Sequence, residues 1–237
     1  VTATPPPQDL VCPHPAGCGV VATLPTLNAV PLEKGRMLYR VYDGKWGYDE
    51  FNAGWGDTRF APIDDPITGK RLSNMYVGES PTGVLLESVF HDVHQLGSMI
   101  AYDAHLHEKL LAHIELPVDA ALGDLRDPQL TRLNLKRSQV ISSPAEHYAC
   151  TRRLAIAALA QKHDPPLQGL IWHSRQAELI NKPPEEVIVL FGERYPPKRG
   201  SWQRSGPGSQ NLYEGPGRLL VEEIAEELRA LIETDKA

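Results

Sequence analysis

Two short apolar runs, Gly169-Leu-Ile-Trp-His-Ser174 and Val187-Ile-Val-Leu-Phe191, most constrain what this chain folds into. Each is bounded by polar or proline-rich segments, and each is too short for an ordinary helix, which favours buried strands. Apolar and aromatic residues alternate from Met37 to Tyr42, predicting another strand, and Asn74 to Gly78 predicts one more. Leu106 to Leu116 predicts a further strand, with Leu110, Ala112, Ile114 and Leu116 on one face.

Helical patterns interleave with these strands. Ser80-Pro81-Thr82 supplies a capping serine and a proline for the first turn, followed by Val84, Leu85, Ser88 and Val89 at three- and four-residue spacings. Glu87 therefore falls on a helix that starts directly after a strand. Ala145 to Gln161 predicts a second helix, with an apolar stripe through Leu154, Ala158 and Leu159. Arg218 to Thr234 predicts an amphipathic last helix, with Leu220, Ile224, Leu228 and Leu231 sharing a face. The mixed order of strands and helices points to an α+β fold and away from a regular βαβ array.

Proline and glycine mark the remainder. Residues 1–32, with Pro5, Pro6 and Pro7 in succession, predict an extended N-terminal arm, leaving residues 33–237 as one catalytic-sized domain. The connection between the strands at Tyr42 and Asn74 is long and rich in glycine, and it carries Trp46, Tyr48, Phe51 and Trp55. Such aromatic content argues against simple disorder; the plain expectation is that these rings fill the core beneath the loop. Pro196 to Gly217, rich in Gly, Pro and Ser, predicts a surface loop.

Charge and cysteine content narrow the classes of partner. With 24 basic and 30 acidic residues the formal charge is −6, which disfavours a general nucleic-acid or anionic-membrane surface. No apolar run approaches the roughly 20 residues of a membrane-spanning helix, and no basic-then-apolar secretory pattern opens the chain, so the simplest location is the cytoplasm. Three cysteines do not make a secreted disulfide framework. Cys12, His14 and Cys18 lie close in sequence, but no second cluster completes a four-ligand zinc site, and an ordinary arm is the expectation.

Five residues carry chemistry. Arg40, in Leu38-Tyr-Arg-Val-Tyr42, and Arg59, in Gly56-Asp-Thr-Arg-Phe60, present planar, permanently charged forks that suit phosphate oxygens; taken singly, each reads more readily as structural, and the matched contexts reverse that judgement. Tyr76 offers a ring for stacking on a nicotinamide or adenine and a hydroxyl for a ribose. Glu87 is the carboxylate that can stabilise positive charge building on a ribose as a glycosidic bond breaks, or orient a ribose hydroxyl or an attacking group. Ser174 can bond a ribose, a phosphate or the glutamate; it lacks the Gly-x-Ser-x-Gly elbow of an acyl nucleophile. Arg175 beside it reads mainly as a surface residue, and secondarily as a phosphate contact. A competing constellation places Glu87, His91 and His94 at i, i+4 and i+7 on one helical face, as in a metal-dependent hydrolase, with His105, His107 and His113 not far along the chain.

The order of these blocks (strand arginine, Gly-x-x-Arg-Phe, strand tyrosine, helix glutamate, then Gly-Leu-Ile-x-x-Ser-Arg before an apolar strand) resembles the RES domain. Arg40, Glu87 and Ser174 correspond to its three naming residues, with Arg59 and Tyr76 as companions, and the resemblance spans Met37 to Phe191. Asp57 and Thr58 precede Arg59, and Ala61 follows Phe60, where members commonly carry Gly-Gly-Arg-Phe-Asn-Pro. Val41 stands where a tyrosine often follows the first arginine. The resemblance implies a compact fold similar to ADP-ribosyltransferase toxins and an activity that consumes NAD. On that reading the nicotinamide–ribose bond breaks, Glu87, Arg40 and Ser174 act in catalysis, and Arg40, Arg59, Tyr76 and Ser174 bind NAD. Water, phosphate or a protein would be the acceptor, and no metal is expected. It further implies a toxin neutralised by an antitoxin with an Xre-like helix-turn-helix region. Apart from the resemblance, the amphipathic terminal helix leaves homodimer formation or partner docking open. A non-catalytic NAD-binding module is the remaining alternative.

Overall fold

The computed structural model describes residues 12, 20, 24–91, 93, 99–180, 182–195 and 200–233. In chain order the first strands are β1 (Ala29–Leu32), β2 (Met37–Asp43) and β3 (Asn74–Gly78), followed by the short helix α1 (Pro81–Leu86) and then β4 (Ile100–Tyr102), β5 (Lys109–Glu115) and β6 (Ala120–Asp124). Helices α2 (Gln129–Arg132), α3 (Arg137–Val140) and α4 (Tyr148–Leu159) lead to β7 (Gly169–His173), β8 (Glu186–Phe191) and β9 (Gln203–Asn211). Helix α5 (Gly215–Leu228) and β10 (Leu231–Glu233) close the described chain. None of these helices is long and apolar enough to cross a membrane.

Eight strands form one sheet in the order β1-β6-β7-β8-β3-β2-β5-β9. Neighbours are antiparallel except β6 and β7, which run parallel. The two apolar runs that open the sequence argument are β7 and β8, paired at the centre of the sheet with Gly169 opposite Leu190 and Trp172 opposite Val187. Gly169 is required there, because a Cβ would run into the Val189 carbonyl. The fold is α+β, as the order of elements predicts.

Alternation of side chains divides the core between the sheet's two faces. On one face Leu170, Trp172, Val187, Val189 and Phe191 pack with Phe60, Ile63 and the α4 residues Leu154, Ala155 and Ala158. The same face continues under α1 and α5, where Val84, Leu85, Val221, Ile224 and Leu228 meet Tyr39, Val41 and Leu111. The other face carries Leu38, Met75, Val77, Ala112, Ile114, Ile188 and Leu190, covered by Tyr195, Trp202 and the loop rings Tyr48 and Phe51. The loop aromatics therefore split: Tyr48 and Phe51 fill the core, whereas Trp46 and Trp55 stay about half exposed.

Several boundaries differ from the sequence expectation, each for a physical reason. The predicted arm ends in the sheet: Ala29–Leu32 pair with β6, and Leu27, buried in the core, donates its N–H to Gln161 Oε1 at 2.8 Å. Cys12 and Val20 are also buried, while His14 and Cys18 lie outside the described residues. The Gly- and Pro-rich stretch expected as a loop contains β9, an edge strand with one sheet neighbour, which tolerates Pro207 and the positive φ of Gly206 and Gly208. Helix α4 begins at Tyr148 after a turn of 3₁₀ helix at Ala145–His147, and β5 is shorter than predicted. Helix α5 stops at Leu228 because Arg229 adopts a left-handed conformation (φ 55°), and the chain then runs as β10 beside β4. Leu220, Ile224 and Leu228 thus pack inward as expected, but Leu231 lies on β10 and is exposed.

Candidate active site

Helix α1 brings Glu87 to the sheet. Ser80, in extended conformation, caps it by accepting the Gly83 N–H at 2.8 Å, Pro81 occupies its first turn, and the Ser80 hydroxyl itself bonds Glu185. Gly78 allows the close approach, since a Cβ there would meet Val84 at 2.8 Å. Glu87 is the C-cap and not an interior residue: its N–H still bonds Gly83 O, but Ser88 turns its hydroxyl back onto the Val84 carbonyl at 2.5 Å and the helix ends.

Ser174 follows β7 by one residue, and the pairing register turns its side chain to the face that carries Trp172. Buried to 1% exposure, it donates its hydroxyl proton to Glu87 Oε1 at 2.7 Å and accepts the Gln176 N–H at 3.3 Å. Both functions of the hydroxyl are thus engaged, which makes Ser174 an orienter of the carboxylate. Glu87 is half-buried, and no donor among the described residues bonds its Oε2.

Arg59 reaches the same face from the long loop. Its Nη1 donates to Val140 O at 2.8 Å, Ser143 O at 3.2 Å and Ser143 Oγ at 2.8 Å, and its guanidinium lies 5.3 Å from the centre of the Tyr148 ring. The Arg59 carbonyl is held by the Thr151 hydroxyl. Burial pushes the Arg59 pKa down, and the Glu87 carboxylate is the main influence opposing it. The expected fork is therefore anchored at one nitrogen, and no acceptor among the described residues bonds Nη2 or Nε.

Tyr76 lies beneath this loop. Its hydroxyl is 2.8 Å from Thr58 Oγ1 and accepts the Phe60 N–H at 3.3 Å. Thr58 Oγ1 donates to Ala61 O at 2.8 Å, so Tyr76 is the donor of the pair. Burial raises its pKa to about 12. The hydroxyl predicted for a ribose braces the two residues flanking Arg59; the ring, which packs edge-on to Trp172, remains partly exposed.

Arg40 does not join this group. In β2 it shares a face with Leu38 and Tyr42, and it pairs with Ala112, all on the side of the sheet opposite Tyr76 and Ser174. Its guanidinium donates to the carbonyls of Gly47 at 3.4 Å, Tyr48 at 2.6 Å and Glu50 at 2.6 Å. Burial lowers its pKa to about 10, so it stays charged at neutral pH. The structure therefore gathers four of the five predicted residues and gives the fifth to the aromatic loop.

The histidine alternative loses its helical face, because α1 ends before His91 and His94 lies outside the described residues. His91 Nε2 is 3.1 Å from the Tyr148 hydroxyl. His105 and His113 pack edge-on to Tyr102 and Tyr39, and His107 stacks on Tyr213. Among the described residues no group of three His, Cys, Asp or Glu is arranged to hold a metal ion. Sequence reasoning passed over Ser143, Tyr148 and Gln176, which anchor Arg59 and the turn after α1; nothing in their local pattern sets them apart from ordinary helix and loop residues. A cavity of about 260 Å³ lies elsewhere, at the β1–β6 edge of the opposite face, where Arg36 and Arg126 are paired with Glu79 and Asp124.

Comparison with known proteins bears on the family and the fold. The family model described as RES domain matches residues 37–201. A chain of the crystal structure of the M. tuberculosis MbcT-MbcA toxin-antitoxin complex shares the fold, with a TM-score of 0.55 and 15% sequence identity over 83% of this chain and 92% of that one. No curated protein gives a match.

Proposed function

Because the chain belongs to the RES domain family, we propose that it is an NAD-consuming enzyme that breaks the nicotinamide–ribose bond, acting as the toxin of a toxin–antitoxin pair. The observation that carries this reading is the carboxylate of Glu87, fixed at Oε1 by the buried Ser174 hydroxyl, with Oε2 directed to no other described group. The shared fold with a chain of a toxin-antitoxin complex supports the biological setting, and an Xre-like antitoxin is the partner proposed.

The chemistry follows from the residues. The C–N bond breaks with its electron pair leaving on the pyridinium nitrogen, which neutralises nicotinamide and leaves positive charge on the ribose. Glu87 stabilises that charge from a fixed position, so little reorganisation accompanies the reaction. Ser174 keeps the carboxylate aimed. Arg59, charged and anchored through one nitrogen, has donors left for pyrophosphate oxygens. Tyr76 holds the loop that presents Arg59 and offers the exposed part of its ring to a base. Arg40 acts at a distance, by shaping the loop on the opposite face. The cation is captured by water, phosphate or a protein nucleophile.

Incubation of the protein with NAD, with and without phosphate, tests the proposal by its products. Free nicotinamide must appear. ADP-ribose identifies water as acceptor, a phosphate-dependent ADP-ribose phosphate identifies phosphate, and a labelled polypeptide identifies protein transfer. Binding of NAD without release of nicotinamide under any of these conditions would leave a binding module in place of an enzyme.

A further inference from the structure

Glu87 and Ser174 stand on separate supports, the end of α1 and the end of β7, and meet across 87 residues of chain. Their bond at 2.7 Å therefore depends on how the two supports are fixed to each other. One residue touches both. Glu185, directly before β8, accepts the Ser174 N–H on its backbone carbonyl at 2.8 Å, and its carboxylate accepts the hydroxyl proton of Ser80, the N-cap of α1. With its proton given to Glu185, Ser80 Oγ accepts the Gly83 N–H at 2.8 Å, and Gly83 O accepts the Glu87 N–H at 3.1 Å. The main chain of Glu185 thus holds Ser174, while its side chain holds the turn that ends at Glu87. Packing around this clamp is close: a Cβ at residue 83 would press on Glu185 Cβ and Ser80 Oγ, each at 3.3 Å. The Glu79 N–H bonds Glu186 O at 3.1 Å, fastening the segment that enters α1 to the start of β8. Pro183 and Pro184 restrict the backbone just before Glu185.

We infer that Glu185 is a positioning residue for the reaction: its carboxylate clamps α1 to the β7–β8 pair and so sets Glu87 at the distance from Ser174 that the chemistry uses. The inference rests on the reading of Glu87 as the carboxylate that acts on NAD. Glu185 acts through Ser80 and the first turn of α1. Displacing a reactive group by about one ångström costs on the order of a hundredfold in rate, so a contact at the far end of a six-residue helix is enough to matter.

The test compares steady-state release of nicotinamide from NAD by folded Glu185→Ala, Glu185→Gln and Ser80→Ala proteins. Glu185→Ala opens the clamp and should lower kcat about tenfold to a hundredfold, with the KM for NAD little changed. Glu185→Gln keeps the volume and presents an amide oxygen to the Ser80 hydroxyl, and it should recover most of the lost kcat. Ser80→Ala breaks the same contact from the other side. Adding Glu185→Ala to it should cost no more than Ser80→Ala alone, whereas independent structural losses would multiply. Parental kcat in Glu185→Ala, a loss confined to KM, or losses that multiply in the double variant would overturn the inference alone, with NAD cleavage intact. Should Glu185→Ala not fold, parental kcat in Ser80→Ala would overturn it equally. Absence of nicotinamide release by the parent would overturn both this inference and the function it rests on.

Discussion

Arg40 and Arg59 are the same residue type, both come from the same sequence pattern, and both are nearly sealed from solvent, at 7% and 4% exposure. They nevertheless serve different regions of the molecule. Arg40 distributes two nitrogens over three carbonyls within ten residues of itself, closing a local loop over one face of the sheet. Arg59 uses a single nitrogen for contacts more than eighty residues away, joining the long loop to the α3–α4 segment on the face where Glu87 lies. A buried guanidinium that satisfies nearby carbonyls is a structural fastener. One that is anchored at one end, beside an aromatic ring, keeps its other nitrogens for the anion contact proposed for Arg59. The number and origin of the acceptors, not burial, separate the two.

Mutation can break this contrast. The largest effect should come from Glu87→Gln, which keeps volume but removes the charge: NAD turnover should fall by a factor on the order of a thousand, while thermal unfolding moves by only about two degrees. Turnover near the parental rate would take the chemistry off this face. Next comes Arg40→Ala, which strands buried carbonyls and should cost about 3 kcal/mol in urea unfolding, with NAD affinity of the folded protein unchanged. If Arg40→Ala folded normally and lost NAD, the two arginines would be functionally alike after all.

Ser174→Ala removes one charge-assisted hydrogen bond to the carboxylate and should slow turnover about tenfold, chiefly in kcat. A change confined to KM would make Ser174 a substrate contact instead of an orienter. Tyr76→Phe should have the smallest effect, about 1 kcal/mol of stability, since only the brace to Thr58 and Phe60 is lost. Its signature is in pH. With the folded pKa raised to about 12, the folded state holds the phenolic proton where the unfolded chain, near 10, releases it. The contribution of Tyr76 is therefore complete below pH 10 and declines as pH rises toward 12. Unfolding at pH 9 and pH 11 should show a smaller loss in Tyr76→Phe than in the parent.

Much of the central sheet was legible because its strands are short and densely apolar: β7 and β8 have no other reasonable conformation. The chemistry was legible as residue types in order. Its division between faces was not, although parity alone puts Arg40 with Leu38 and Tyr42. Knowing that Glu87 lies across the sheet also requires the strand order, which depends on contacts between distant segments. Glu87 caps the end of α1, where the apolar spacing predicts a position within the helix. The apolar spacing continues through Val89, Phe90 and Val93, all packed in the core under α1 and α5, but the Ser88 side chain competes for the Val84 carbonyl and ends the helix early. β9 was hidden by glycine and proline, which an edge strand with a single neighbour accepts.

The parallel pairing of β10 with β4 has a mechanical implication. Leu231–Glu233 is stitched to Ile100–Tyr102, and Arg218 of α5 is paired with Asp103 just beyond, so this stretch of the chain is tied to β4 and the residues that follow it. Load applied at residue 233, whether from a fused domain, a surface tether or a pulling handle, enters the protein through this short two-stranded clasp and not through the eight-stranded sheet. A tag attached through β9, on the outer edge of the sheet, would load a different part of the structure.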